Sequence, residues 1–208
     1  MKLPKKQTLL LIILIIFYTV GLVGLHTDSR NSFLELSPFN LILSFICLYF
    51  SFANYSVKKH VDILLIGIVG YTIEWIGVHT SVLFGHYGYG NNLGYRLDGI
   101  PLIIGVNWIL LTFSATAIVN KWNIPLVLKA LIAGVLMTAL DWIIEPVAIK
   151  SDFWHWNDGT IPMYNYVCWI FFSSLFSFWV LKRKSVETNK VSVGLFIILV
   201  IFFAILNR

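Results

Sequence analysis

Apolar residues run along the chain in seven blocks, near positions 9–25, 39–54, 61–84, 100–119, 124–148, 161–181 and 193–206. Each approaches the roughly 20 residues with which a helix crosses a bilayer. The blocks take up nearly the whole chain, which predicts an all-α, polytopic membrane helix bundle of about seven transmembrane helices, one integral membrane domain over residues 1–208. The first block follows Lys2, Lys5 and Lys6 as a signal peptide would. It is long, however, and no small-residue cleavage site precedes His26, so it reads as a retained helix.

Three acidic residues interrupt these blocks: Glu74 in the third, and Asp141 and Glu145, four apart and hence on one helix face, in the fifth. A carboxylate at membrane depth is costly and marks function. Small or polar residues keep helical register with them. Gly67, Gly70, Glu74, Gly77 and Ser81 form one stripe, and Ala130, Gly134, Thr138, Asp141 and Glu145 form another. Small residues alone would serve close helix packing. The acids imply in addition that both stripes face a shared interior.

Two connections are long, residues 85–99, rich in Gly and Tyr, and 150–160, rich in Trp; each leads to an Ile-Pro pair expected at the first turn of the next helix. Phe84-Gly85-His86-Tyr87 matches Phe153-Trp154-His155-Trp156, and Trp108 follows Pro101 by seven residues as Trp169 follows Pro162. Asn107 and Asn165 precede those Trp residues. The pattern suggests a parallel internal repeat in which helices three and four recur as five and six, chance matching among abundant aromatics being the alternative. Counted by the rise of about 1.5 Å per residue, Glu145 lies roughly 5 Å below the outer surface, Asp141, Asn107 and Trp169 roughly 10–12 Å, and Glu74 roughly 15 Å. One pocket in the outer leaflet, roofed by the two loops, would hold them all.

The whole chain is 58% hydrophobic and 12% charged, too apolar for a soluble domain. Its net charge of +5 is a topology signal and no nucleic-acid footprint. Lys2, Lys5, Lys6, Lys58, Lys59, Lys121, Lys182, Arg183, Lys184 and Lys190 fall on one side, against Arg30, Arg96, Lys150 and Arg208 on the other, which puts the N-terminus in the cytoplasm and the C-terminus outside a cell membrane. Cys47 and Cys168 lie within blocks and read as packing residues. With five His and no His-x-x-x-His pair, a di-iron hydroxylase site is disfavoured and no metal is expected; His86 and His155 read as loop hydrogen-bonders or proton relays. The run from Gly85 to Gly90 lacks a preceding strand and a P-loop Lys, so it is not a nucleotide loop. Arg96 and Asp98 are expected to pair or face water.

A carboxylic acid in apolar surroundings stays protonated at neutral pH and serves as a proton donor, which is what protonation of an alkene requires. The resulting tertiary carbocation needs aromatic faces nearby. Trp75, Trp108, Trp142, Trp154, Trp156 and Trp169 fall on or beside the expected pocket; interfacial anchoring is the competing role for Trp154 and Trp156. A structural hydrogen bond to Asn107, His79 or a Tyr is the competing role for Glu74 and Asp141.

Glu74 through Gly77-Val78, Phe84-Gly85-His86-Tyr87-Gly88-Tyr89, Leu93-Gly94, Gly99-Ile100-Pro101 and Asn107-Trp108 resembles the first signature of the membrane carotenoid biosynthesis proteins, a family that includes bisanhydrobacterioruberin hydratase and carotenoid hydratases acting on gamma-carotene. The second signature is resembled by Asp141-Trp142, Glu145-Pro146, Phe153-Trp154 with Trp156, Ile161-Pro162, Asn165 and Trp169. Glu145 stands where members often carry Asp, and Thr160 where they carry Gly. The resemblance implies a hydro-lyase without a cofactor, adding water across the terminal C=C of an acyclic carotenoid such as lycopene, gamma-carotene or a bisanhydrobacterioruberin-like chain. Asp141, Glu74 and Glu145 would be catalytic, with Asp141 or Glu74 as general acid. Asn107, Trp108, Trp142, Trp154, Trp156, Asn165, Trp169, Tyr87, His86 and His155 would bind substrate. A carotenoid cyclase and, from another class, a proton-coupled transporter or lipid-binding scaffold are the rival readings.

Overall fold

The computed structural model describes residues 3–208, and Lys2, part of the charge bias, lies outside the described residues. Every apolar block forms a helix: α1 (Leu3–Gly24), α3 (Ser37–Ser51), α4 (Val57–Thr80), α5 (Ile103–Val119), α6 (Leu126–Lys150), α7 (Met163–Lys182) and α8 (Lys190–Leu206). A six-residue helix that hydrophobic blocks do not announce, α2 (Arg30–Glu35), joins α1 to α3. The result is an all-α, membrane-embedded bundle. Four of its helices, α1, α4, α6 and α7, are long and apolar enough to cross a membrane, and α3, α5 and α8 are shorter apolar helices. Apolar side chains such as Ile16, Val135, Phe171 and Ile201 stay exposed on the outer faces, as a lipid solvent allows.

Helix α5 is buried on nearly every side and touches α3, α4, α6, α7 and α8. A helix apolar all round suits a core or lipid; this one, in which no Asp, Glu, Lys or Arg occurs, takes the centre. Close packing around it depends on the small-residue stripes. A Cβ on Gly70 would come within 2.6 Å of Trp108, and one on Gly105 within 2.8 Å of the Gly67 carbonyl. The α4 stripe thus faces α5, whereas Gly134 of α6 packs against Ser174 and Ile170 of α7.

Polar contacts gather the loops into two ends. At one end Gln7 donates to Ser51 O at 3.0 Å, Lys190 to Thr8 at 3.2 Å and Asn120 to Thr188 at 3.3 Å. Asp62, fully buried, accepts there from Trp179 Nε1 at 3.0 Å, Arg183 Nε at 2.5 Å and Ser185, while Lys59 pairs with Glu187. Lys129, at the start of α6, donates to Asn120 O at 2.7 Å and joins the same basic end.

At the other end two short strand pairs cover the bundle. β1 (Tyr87–Tyr89) pairs antiparallel with β4 (Trp154–Trp156), with Tyr87 opposite Trp156 and Tyr89 opposite Trp154. The two runs matched in sequence thus meet at Tyr87 and Trp156, and the pairing continues from there through Gly88 and Tyr89. Phe84 and Gly85, at φ 66° and 123°, turn the chain into β1; a Cβ on Gly85 would come within 2.6 Å of Pro162.

β2 (Arg96–Leu97) pairs with β3 (Ile100–Pro101), which corrects the expectation for Pro101: it ends a hairpin strand, and α5 opens only at Ile103. Pro162 is the residue just before α7, where its missing N–H is harmless. Arg96 and Asp98 do not pair with each other. Arg96 donates to Gly90 O and to Asn91 Oδ1, and Asp98 accepts from Trp75 Nε1 at 2.6 Å.

Candidate active site

Two helices, α4 and α6, bring the acids to one cavity of about 310 Å³, which Glu74, Asp141 and Glu145 all line. Of the residues named from sequence, Asn107, Trp154, Trp156, Asn165, Trp169 and Tyr87 also line it. The helical register that set Asp141 and Glu145 on one face of α6 holds, and β1 and β4 form the lid above them.

Glu74 is surrounded by donors. Its Oε2 accepts from Tyr87 Oη at 2.5 Å and Tyr89 Oη at 2.8 Å, and its Oε1 accepts from Trp108 Nε1 at 3.0 Å. Burial, reinforced by the Glu74 carboxylate, pushes both β1 phenols well above the usual tyrosine range, so they remain O–H donors. The partners of Glu74 are thus two Tyr and a Trp; neither His79 nor Asn107 is among them. Trp108 is fully buried behind the cavity wall and stacks on Trp169, with ring centroids 4.5 Å apart and planes 14° apart. Phe176 meets Trp108 edge-on at 5.3 Å.

Glu145 is held from the other strand. Its Oε2 accepts from Trp154 Nε1 at 2.9 Å and Trp156 Nε1 at 3.1 Å. Each acid-bearing helix is therefore followed by a strand whose aromatics reach back to its own carboxylate. Tyr87 and Trp156, opposite one another in the strand pair, lie 5.4 Å apart and join the two systems.

Asp141 differs from both. It is 2% exposed, and its Oδ2 has no hydrogen-bond partner; the same holds for Nδ2 of Asn165, also 2% exposed. A buried polar atom without a partner is rare enough to call for a reason, and both residues face the one cavity.

Trp142, His86 and His155 do not line it. Trp142 follows Asp141 by one residue, a turn of about 100° around a helix, and is 68% exposed on the outer face of α6. Trp75 is turned away from the acids in the same manner and stacks on His79 at 4.5 Å. His86 stands 3.6 Å from Asp158 on the exposed side of the lid, and His155 packs across the strand pair from Gly88. Cys47 and Cys168 are buried and unpaired with each other. Among the described residues no group of three or more His, Cys, Asp or Glu is arranged to hold a metal ion.

Sequence reasoning missed the opposite wall. Phe17, Tyr18 and Gly21 of α1, Phe33 of α2, Phe39 and Asn40 of α3, and Phe202 and Phe203 of α8 line the cavity. These helices read as anonymous apolar spans, and only Tyr18, whose Oη lies 3.1 Å from Ser44 Oγ, and Asn40 marked them as more. Phe17, Val20, Leu36 and Phe39 line the cavity while exposed on the bundle surface, so its mouth opens between α1 and α3 through apolar side chains. The arrangement suits a hydrocarbon that enters from lipid, meets a carboxyl group with an unpaired oxygen, and lies against aromatic faces.

A family model for carotenoid biosynthesis proteins matches residues 36–207, which takes in all three acids, the lid and every wall of the cavity except that of α1 and α2. No curated protein and no solved structure matches the chain. With a match over most of its length, the chain belongs to the carotenoid biosynthesis protein family.

Proposed function

We propose that the protein is a carotenoid hydratase that adds water to the terminal double bond of an acyclic carotenoid end and gives a tertiary alcohol. The observation that carries this reading is the contrast among the three carboxyl groups. Glu74 has three hydrogen-bond partners, two phenol O–H groups and an indole N–H that can only donate, which suits a carboxylate. Asp141 makes no hydrogen bond through Oδ2, which suits the group that carries the proton.

In this mechanism the Asp141 O–H gives its proton to the less substituted alkene carbon; the π bond breaks and the cation forms at the dimethyl carbon. The Glu74 charge and the Trp169 face stabilise that cation. Water attacks it, the C–O bond forms, and the surplus proton goes to Glu145, whose Oε2 is oriented by two indole N–H groups. Transfer from Glu145 to Asp141, one helical turn away, restores the starting state. Asn165 positions the water beside Asp141.

The reading includes seven spans, with α3, α5 and α8 counted beside the four long helices, and a cytoplasmic N-terminus with the lid outside. It also includes descent of α4–α5 and α6–α7 from a duplicated pair, supported by the pairing of β1 with β4 and by the Trp108–Trp169 stack. Expression in cells that make lycopene or gamma-carotene tests the activity. A product heavier than its precursor by one water is expected; an isomer of unchanged mass would indicate cyclisation, and no product despite confirmed membrane insertion would rule out hydration.

A further inference from the structure

A second, smaller cavity of about 200 Å³ adjoins the first. Leu25, Val147, Ser151 and Leu206 line both cavities. The remaining walls of the smaller one are basic, His26 and Arg30 beyond the end of α1 and Lys150 at the end of α6. Arg30 spans the gap, donating from one guanidinium nitrogen to Lys150 O at 3.1 Å and Ser151 Oγ at 3.2 Å. Ser151 is 2% exposed, so the Arg30–Ser151 contact stands at the boundary between a polar space and an apolar one. Glu145 precedes Ser151 by six residues, about 9 Å along the axis of α6.

Hydration consumes two reactants of opposite polarity. The mouth between α1 and α3 is bordered by the apolar Phe17, Val20, Leu36 and Phe39, with Tyr18, Ser37 and Asn40 the polar side chains on that wall, whereas each water inside a protein is held by roughly two to four polar partners. The smaller cavity offers a guanidinium, an imidazole, a hydroxyl and the Lys150 carbonyl. We propose that it is the water inlet of the active site, with Arg30 and Ser151 as its inner threshold, so that hydrocarbon and water arrive through separate openings. This rests on the hydratase reading. The water oxygen bonds to the cation, and one of its protons leaves on Glu145.

His26 is exposed, whereas the native Cys47 and Cys168 are buried, so the inlet can be closed after the protein has folded. The purified His26→Cys chain, reconstituted in lipid with an acyclic carotenoid, is treated with a bulky thiol-specific disulfide reagent and compared with its own untreated and re-reduced samples; the treated wild-type chain is the control. Hydrated product should fall at least about tenfold, a modest figure for losing a pre-positioned reactant, and return on reduction, while the amount of bound carotenoid is unchanged. A small reagent should have less effect than a bulky one. Unchanged hydration after full labelling overturns the inlet, as does a parallel loss of bound carotenoid, which would make the space part of the hydrocarbon site. Absence of product from the wild-type chain is a separate result, because it removes the hydratase reading itself.

Discussion

Replacement of Trp108 by Phe should destabilise the protein by about 2.5–5 kcal/mol. The indole N–H lies 3.0 Å from Glu74 Oε1, and a hydrogen bond to a buried charged group contributes about 1.5–3 kcal/mol. The smaller ring also leaves a void beside Trp169 and Phe176, at the cost of about 1–2 kcal/mol for a site that cannot collapse fully. Equilibrium unfolding in detergent measures the sum. Trp122→Phe is the comparison: Trp122 is 45% exposed at the far end of α5, and its change should stay within about 0.5 kcal/mol. A double-mutant cycle with Glu74→Gln isolates the contact, with an expected coupling of about 1.5 kcal/mol or more. If Trp108→Phe unfolds with Trp122→Phe, or if the two substitutions simply add, Glu74 is not held by the indole and the contrast drawn among the acids fails.

Asp141→Asn should abolish product while the protein inserts and unfolds like wild type, since Oδ2 has no partner to lose; retained turnover would remove Asp141 from the mechanism. Gly70→Ala should cost about 1–3 kcal/mol by overpacking, because the new methyl would come within 2.6 Å of Trp108; a variant as stable and active as wild type would contradict the close α4–α5 contact. At the basic end, Asp62→Ala strands Arg183 beside a buried void and should lower stability by about 3–5 kcal/mol without changing which product forms, as unfolding and product mass together would reveal.

The helices were legible because each is a run of apolar residues flanked by basic or turn-forming ones; their ends fall within a few residues of the sequence blocks, Leu9 of the first block excepted, since α1 begins earlier, at Leu3. Helical spacing also put Asp141 beside Glu145 and Gly70 beside Glu74. The same spacing argues against Trp142 and Trp75 as pocket residues, each being one position, about 100°, from an acid. What the chain did not disclose depends on tertiary pairing. The strands are two or three residues long, too short for alternation to register. Nothing local says that Trp108 serves Glu74 from behind instead of presenting a face to the cavity. The α1, α3 and α8 wall lacks any polar periodicity, so its share in the cavity emerges only when the helices are packed.

The origin of the added oxygen tests the central claim most directly. Cells expressing the chain and supplied with an acyclic carotenoid are grown in water enriched in heavy oxygen, and the product is weighed by mass spectrometry. Hydration at Asp141, Glu145 and Glu74 predicts a tertiary alcohol whose oxygen carries the label of the water. An unlabelled hydroxyl, drawn from molecular oxygen, or a product with no oxygen added would contradict it.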